Sequence, residues 1–301
     1  MKRLALTSLR LYALTALMSL QAADTVNVTT TVSVGELLDK ITILQIKQQR
    51  VKSKAKQANV TLELETLQQQ FAKAGLESAA LKALVDELRS INAELWDLED
   101  ATRRKESEHC YDEEFKQLAA RIIDRNDTRA RTRAAINTLT NSAIIEEKSY
   151  KEMTNTKNSQ QAESSLITIE IPFAELLDKI TILEVKLEKI TDSHKRTNIQ
   201  TEHTLLRKTH NEVCSTMTSE LATLTNDLRN ANRTMFEIQD AIREKIRSNA
   251  PDNEFVQLAR SVYFTNDERC RIKHAINELV GSHLIEEKEY TKYDALQTQT
   301  V

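Results

Sequence analysis

The sequence ELLDKITILQIK at residues 36–47 decides how this chain is organised, because it occurs again as ELLDKITILEVK at residues 175–186. Its apolar side chains recur at the spacing of one helix face: Val34, Leu37, Leu38, Ile41, Leu44 and Val51. The stretch therefore predicts an amphipathic helix that the chain uses twice. Ser33-x-x-Glu36 has the form of a capping box, in which the hydroxyl and the carboxylate satisfy free N–H groups at the helix start.

The repeat extends well beyond this helix. At a later offset of 140 residues, Asn126-Asp127-x-Arg129 matches Asn266-Asp267-x-Arg269, and residues 145–150 match residues 285–290. One unit therefore occurs twice, over residues 30–152 and 166–294, and a unit of about 120 residues has the size of a domain. Residues 153–165 are rich in Asn, Thr, Ser and Gln, which predicts a polar linker between the two copies.

Composition restricts the fold class. The 301 residues include only 3 Gly and 2 Pro, far too few for the many tight turns of a β-sandwich or barrel. There is also no glycine-rich phosphate loop. Lys and Arg total 42 against 45 Asp and Glu, and a net charge of -3 gives no reason to expect a nucleic-acid partner.

Each copy reads as a helical bundle of four to five helices. The third helix, over about residues 76–108, carries a seam of Leu84, Leu88, Ile91, Leu95 and Leu98 in alternating steps of four and three. A fourth helix starts near Asp112, and residues 143–150 form a short final piece. Stretches 26–32 and 166–171 alternate apolar and polar residues and could be short strands. The predicted fold is all-α: two tandem homologous helical-bundle domains with long antiparallel helices.

The N-terminus resembles a secretory signal peptide. Residues 1–23 contain no acidic residue, and residues 11–20 are an apolar stretch followed by the small residues Ala22 and Ala23. Cleavage would make the protein secreted or periplasmic, whereas a chain that keeps this segment would be cytoplasmic. The segment is too short and too interrupted for a spanning helix, so we expect no transmembrane segment in the mature chain.

Three motifs carry a resemblance to a known family. ELLDKITILEVK, the ND-x-R-x-x-x-K stretch with its following Ile-Asn, and GSHLIEEKEY are similar to the markers of a bacterial helical family of unknown function. The second copy is closer to this pattern, since the first has Gln45, Arg133 and Asn141-Ser142 where the pattern has Glu, Lys and Gly-Ser. The resemblance implies no activity, so no catalytic residue is carried over.

Comparison of the copies argues against thiol, imidazole or metal chemistry. Cys110 aligns with Ala250, Cys270 with Ala130, and His274 with Ala134. A unit built around such side chains would need them in both copies. We therefore expect no catalytic residue, no metal site and no cofactor. His203 and His210 occur in the second copy alone and are expected to be exposed to solvent.

Polar residues that both copies retain form the candidate site. They follow the seam of the fourth helix as Asn126, Arg129 and Arg133, and as Asn266, Arg269 and Lys273. Cations seldom enter a core without partners, because desolvation of an unpaired ion costs several kcal/mol. Anionic partners could be internal, the candidates being Asp39, Asp100, Asp178 and Asp240, or Glu146 and Glu286. The alternative partner is an anionic small molecule such as a phosphate, nucleotide or sugar acid.

The sequence favours a non-catalytic helical binding or scaffolding protein, which binds a protein partner or associates with itself. The alternative is an enzyme or sensor module that binds an anionic small molecule at the Asn/Arg/Lys stripe. Adjacent Glu146 and Glu147 point about 100° apart on a helix, so we expect a solvated final turn there rather than an acid–base pair.

Overall fold

The structure, a computed structural model, describes residues 25–144, 146–147, 167–214, 217–248 and 251–288. The proposed signal peptide (1–23) and polar linker (153–165) lie outside the described residues. Each copy contains one strand and four helices. The first copy comprises β1 (Val28–Val32), α1 (Val34–Arg50), α2 (Lys54–Ala74), α3 (Ala79–Ser107) and α4 (Glu113–Leu139). The second comprises β2 (Ile167–Ile171), α5 (Phe173–Lys189), α6 (Ser193–Val213), α7 (Ser219–Arg247) and α8 (Asn253–Val280). The all-α class is confirmed.

Side chains at the helix ends explain several boundaries. Ser33 caps α1 by accepting a hydrogen bond from the Glu36 amide, and Asp112 caps α4 by accepting from the Phe115 amide. Gly75 ends α2 in the left-handed conformation, with φ of 63°, which glycine adopts without steric cost. The capping box at Ser33 is half formed, because the Glu36 carboxylate contacts Lys179 of the other copy instead of returning to the cap.

The two short strands connect the copies. β1 and β2 pair antiparallel, with Val28 opposite Ile171, Thr30 opposite Ile169 and Val32 opposite Ile167. The pairs are reciprocal, because Val28 and Val32 are equivalent in the repeat to Ile167 and Ile171, so the ladder has two-fold symmetry. The alternation of apolar and polar residues that predicted these strands reflects one buried face, since the first, third and fifth residues of each strand are buried.

The copies share one hydrophobic core. Buried Val28, Leu37 and Leu67 of the first copy belong to the same cluster as Ile169, Leu176 and Leu206 of the second. The sequence predicted two bundles joined by a linker, whereas the structure packs both bundles against one another around α1 and α5. These two helices bury residues on almost every side.

Long hairpins extend from this core. α3 packs against α4, and α7 packs against α8. Their far ends meet in a second apolar cluster, which contains Phe115, Ile123, Ile242, Phe255 and Tyr263. The copies therefore touch at two places, at the shared core and at the tips of the hairpins. None of the described helices combines the length and the apolar composition needed to cross a membrane.

Candidate functional site: two charge clusters between the copies

The predicted stripe in the second copy surrounds Asp178 of α5. Arg269 Nη2 lies 2.9 Å from Asp178 Oδ2, and Lys273 Nζ lies 3.8 Å from the same atom. Asn232 of α7 donates from Nδ2 to Asp178 Oδ1 over 2.9 Å. Burial raises the pKa of Asp178, but the charges of Arg269 and Lys273 outweigh burial and leave this pKa below its ordinary value. Asp178 therefore remains an anion.

The first copy repeats the arrangement around Asp39 of α1. Arg133 Nη1 lies 3.5 Å from Asp39 Oδ2, and Arg129 Nε lies 4.0 Å from it. Asn92 donates from Nδ2 to Asp39 Oδ1 over 2.8 Å. The contact of Arg129 is the weakest of the set, and 30% of its side chain remains exposed.

The other candidates take different positions. Asn266 accepts a hydrogen bond from Arg269 Nη1 over 3.0 Å, whereas Asn126 donates to the backbone carbonyl of Ile122 on its own helix. Among the described residues, the carboxylates within 4.0 Å of the stripe cations are those of Asp39, Glu146, Asp178 and Glu286. The structure thus gathers Asp39 and Asp178 to the stripe but not Asp100 and Asp240.

The glutamates after the last helix of each copy were expected to be solvated, and this prediction is wrong. Glu147 is buried, and its Oε1 accepts from Asn198 of the second copy over 2.7 Å. Glu287 accepts from Asn59 of the first copy over 2.8 Å. The residues lie outside any helix here, so the angle of about 100° between helical neighbours does not apply to them.

The first glutamate of each pair contacts the stripe. Glu146 forms an ion pair with Arg133 and accepts from Ser33 Oγ over 2.8 Å. Glu286 lies 2.6 Å from Lys273 Nζ and 3.7 Å from Lys47 Nζ. Burial raises the pKa of Glu286, but Lys273, Lys288 and Lys47 lower it far more, so this pKa lies well below the ordinary range.

Sequence reasoning missed the lysines that join the copies. Lys40 Nζ lies 2.6 Å from Glu175 Oε2, and Lys179 Nζ lies 2.6 Å from Glu36 Oε2. Glu63 of α2 lies 3.6 Å from Lys40, and Glu202 of α6 lies 3.4 Å from Lys179. The signal was present, since ELLDK is repeated with its charges unchanged in both copies.

These groups form two clusters of equal composition. Cluster A contains the cations Lys179, Lys186, Arg129 and Arg133 and the carboxylates Glu36, Asp39, Glu146 and Glu202. Cluster B contains the cations Lys40, Lys47, Arg269 and Lys273 and the carboxylates Glu63, Glu175, Asp178 and Glu286. Both clusters take residues from both copies. Four positive charges face four negative charges in cluster A, whereas in cluster B Lys288 Nζ also lies 3.4 Å from Glu286 and adds a fifth cation beside the four carboxylates.

The remaining motif residues cap the central helices. The amide of Gly35 donates to Asn137 Oδ1 over 2.7 Å, and the amide of Ala174 donates to Asn277 Oδ1 over 2.8 Å. Ser282 Oγ accepts from the Phe173 amide in the same way. The first turn of a helix has N–H groups without intrahelical partners, and buried ones must be satisfied. The Ile-Asn and Gly-Ser motifs therefore belong to the packing of α8 and its tail against α5.

Histidines and cysteines lie apart from this arrangement. His210 is buried and not exposed as expected, because α6 packs its face against Phe173, and burial lowers its pKa. His203 Nε2 lies 3.6 Å from Glu184. The three cysteines are half-buried, and none of them forms a disulfide bond within the described residues. Within the described part of the chain, no group of three or more His, Cys, Asp or Glu side chains is placed to hold a metal ion.

A cavity of about 310 Å³ opens beside cluster B. Its walls include Lys56, Lys273, Glu286 and Lys288. Two of these four residues, Lys273 and Glu286, belong to the cluster and are already paired with one another. The cavity therefore gives solvent access to one edge of cluster B.

Comparison with known families agrees with the repeat. The model of a family of unknown function (DUF6165) matches twice, over residues 28–166 and 167–298. The chain belongs to this family. Its two matches cover the two copies, and the motifs that carried the resemblance are the residues of the clusters and of the helix caps. Curated proteins and solved structures give no match to the DUF6165 chain.

Proposed function

We propose that this DUF6165 protein is a non-catalytic helical scaffold, whose retained polar residues hold two helical hairpins in one fixed arrangement. The observation that supports this role is the internal pairing of the stripe cations. Every stripe cation has a carboxylate within 4.0 Å, so the stripe carries no excess charge for a substrate. Partner binding would then use the exposed outer faces of the hairpins.

The scaffold role also accounts for which residues the copies retain. A buried ion with its partner removed is strongly destabilising, and a satisfied network can fix the register of packed helices. Asp39 and Asp178 each accept a hydrogen bond from an asparagine of the third helix of their own copy and form an ion pair with an arginine of the fourth. One carboxylate in each copy thus ties three helices together.

The alternative, an anionic ligand at the stripe, has one observation in its favour. The Nε groups of Arg133 and Arg269 are buried and have no hydrogen-bond partner among the described residues. Arg129 is partly exposed and only loosely paired. A phosphate or carboxylate group would supply the missing acceptors, since guanidinium groups bind such oxygens in pairs.

A thermal-shift screen separates the two functions. We would measure the melting temperature of the protein with inorganic phosphate, a nucleoside triphosphate, a dicarboxylate and a sugar acid. A ligand at about a hundred times its Kd would raise this temperature by about 5 °C or more. The scaffold proposal expects no shift with any of these compounds.

The decisive comparison uses neighbouring arginines of α8. Arg269→Met removes a stripe cation, whereas Arg271→Met removes an exposed arginine that pairs with Glu268 on its own helix. A compound that stabilises the wild type and Arg271→Met but not Arg269→Met would overturn the scaffold proposal. It would establish the stripe as a ligand site.

A further inference from the structure

The surface between the copies is self-complementary. Lys40 pairs with Glu175 as Lys179 pairs with Glu36, and these four residues occupy two equivalent positions of the repeat. A surface in which residue i contacts j and residue j contacts i is the mark of a two-fold interface. The interface inside this chain therefore has the form of a symmetric dimer interface.

Two further reciprocal contacts follow the same axis. At the hairpin tips, Arg103 binds Asp267 with Nη2–Oδ1 of 2.6 Å, and Arg243 binds Asp127 with Nη2–Oδ1 of 3.0 Å. Near the core, Asn59 donates to Glu287 and Asn198 donates to Glu147. Each of these contacts would form equally well between two first copies or between two second copies.

One contact breaks the symmetry. Glu106 of the first copy is buried and accepts two hydrogen bonds of 2.9 Å from Arg260 of the second copy. Tyr263 also donates its hydroxyl proton to Glu106. At the equivalent positions the chain has Ile246, Ala120 and Ile123, which cannot form an ion pair.

The consequences differ for the three possible pairings. Two first copies would place the Glu106 carboxylate against Ala120 and Ile123, where it would be buried without a cation. Two second copies would place Arg260 and Tyr263 against Ile246 and remove the carboxylate that accepts from both of them. Loss of one partner from a buried ion pair is strongly unfavourable. The mixed pairing alone gives Glu106 its cation and gives Arg260 and Tyr263 this acceptor.

We infer that the inter-copy surface is an interface that associates without the connecting segment, and that Glu106, Arg260 and Tyr263 make the first copy select the second. The partner of each copy is thus a copy of the other kind, from the same chain or from another molecule of this protein. These three residues should favour the mixed pairing over either like pairing by about a hundredfold or more in affinity.

The test uses the full chain with a protease site placed within residues 153–165. After cleavage, native mass spectrometry should show the two halves together in one complex. The cut protein is then unfolded in urea and refolded, and the same method separates the three possible dimers because the halves differ in mass. We expect the wild type to return the mixed dimer alone.

Two variants remove the selection in opposite ways. The first combines Glu106→Ile, Arg260→Ala and Tyr263→Ile, which gives both sides the apolar set. The second combines Ile246→Glu, Ala120→Arg and Ile123→Tyr, which gives both sides the ionic set. Each should refold to like and mixed dimers in the statistical ratio of about 1:2:1, because all three pairings become equivalent.

Several results would overturn the inference. Separation of the halves after cleavage, or failure of the cut wild type to refold, would show that the interface depends on the connecting segment. A statistical mixture of dimers from the wild type would show that the first copy does not select the second. The selection would also be contradicted if either variant gave mixed dimers alone. Failure of both variants to refold, when the wild type refolds, would contradict it as well.

Discussion

Lys40 Nζ lies 2.6 Å from an oxygen of Glu175, a residue 135 positions away that belongs to the other copy of the repeat. Both side chains are largely buried, with 17% and 11% of their surface exposed. Burial lowers the pKa of Lys40, but Glu175 and Glu63 raise it further, so the amine stays charged. The pair thus joins the copies through an ion that has little access to water.

Charge reversal at this pair should be strongly destabilising. Lys40→Glu would place a third carboxylate beside Glu63 and Glu175, and we expect the free energy of unfolding to fall by about 3–5 kcal/mol. The double variant Lys40→Glu/Glu175→Lys should recover a large part of this loss. Urea unfolding followed by circular dichroism measures both, and an additive effect of the two changes would contradict the pairing.

The matched control for that experiment is Lys82→Glu. Lys82 is 75% exposed and pairs with Asp86 one turn away on its own helix. Exposed pairs of this kind contribute at most about 1 kcal/mol. A loss at Lys82 as large as that at Lys40 would indicate a general effect of net charge.

Removal of the cap on α5 should cost less, but measurably. Asn277→Ala takes the acceptor from the buried amide of Ala174, and we expect a loss of about 1–2 kcal/mol in the free energy of unfolding. Asn277→Asp keeps an acceptor at the helix N-terminus and should be closer to wild type. Equal losses for the two variants would argue against capping as the role of Asn277.

Stability should depend on pH through Asp178. Its pKa in the folded state is below the ordinary value, so its contribution is fully present at neutral pH and is lost as the pH falls below about 4. At pH 7, Asp178→Asn should lower the free energy of unfolding by about 3 kcal/mol, because Arg269 loses its partner. The difference between variant and wild type should shrink on acidification, and a constant difference from pH 7 to pH 3 would contradict it.

Gly35 lies where α1 crosses α4, and this position should tolerate no side chain. A Cβ atom at this position would lie 2.5 Å from the backbone oxygen of Arg133, which cannot move aside as a side chain would. We expect Gly35→Ala to lower the free energy of unfolding by about 1–3 kcal/mol, despite the higher helix propensity of alanine, and thermal unfolding measures this change. The equivalent residue in the second copy is Ala174, where Ala174→Gly should cost about 1 kcal/mol. Stabilisation by Gly35→Ala would show that the two helices separate readily.

Local patterns predicted much of the fold. The seam from Leu84 to Leu98 identified α3, and the alternation in residues 26–32 identified β1. Each of these signals depends on residues within a few positions of one another. The stripe was also recognised, because cations at seam positions need anions, and Asp39 and Asp178 were among the expected partners.

Partners distant in sequence were not predictable in the same way. Asp100 and Asp240 were as plausible as Asp39, since a charge pattern shows that a partner is needed but not which carboxylate supplies it. The solvated turn expected at Glu147 failed because the residue crosses to Asn198 of the other copy. The prediction that His210 is exposed was wrong for a similar reason, since the burial of a residue depends on what packs against its helix.

The sequence by itself determined that this protein is all-α and built from two copies of one unit. Helical periodicity and caps depend on residues close together in the chain, and the repeat is found by comparing two stretches of the sequence directly. Only the tertiary structure decided that the copies form one body with a shared core and two charge clusters. The physical reason is that a buried ion is satisfied by whichever opposite charge the fold brings within a few ångströms. For Lys40 that charge is Glu175, across the axis that relates the copies.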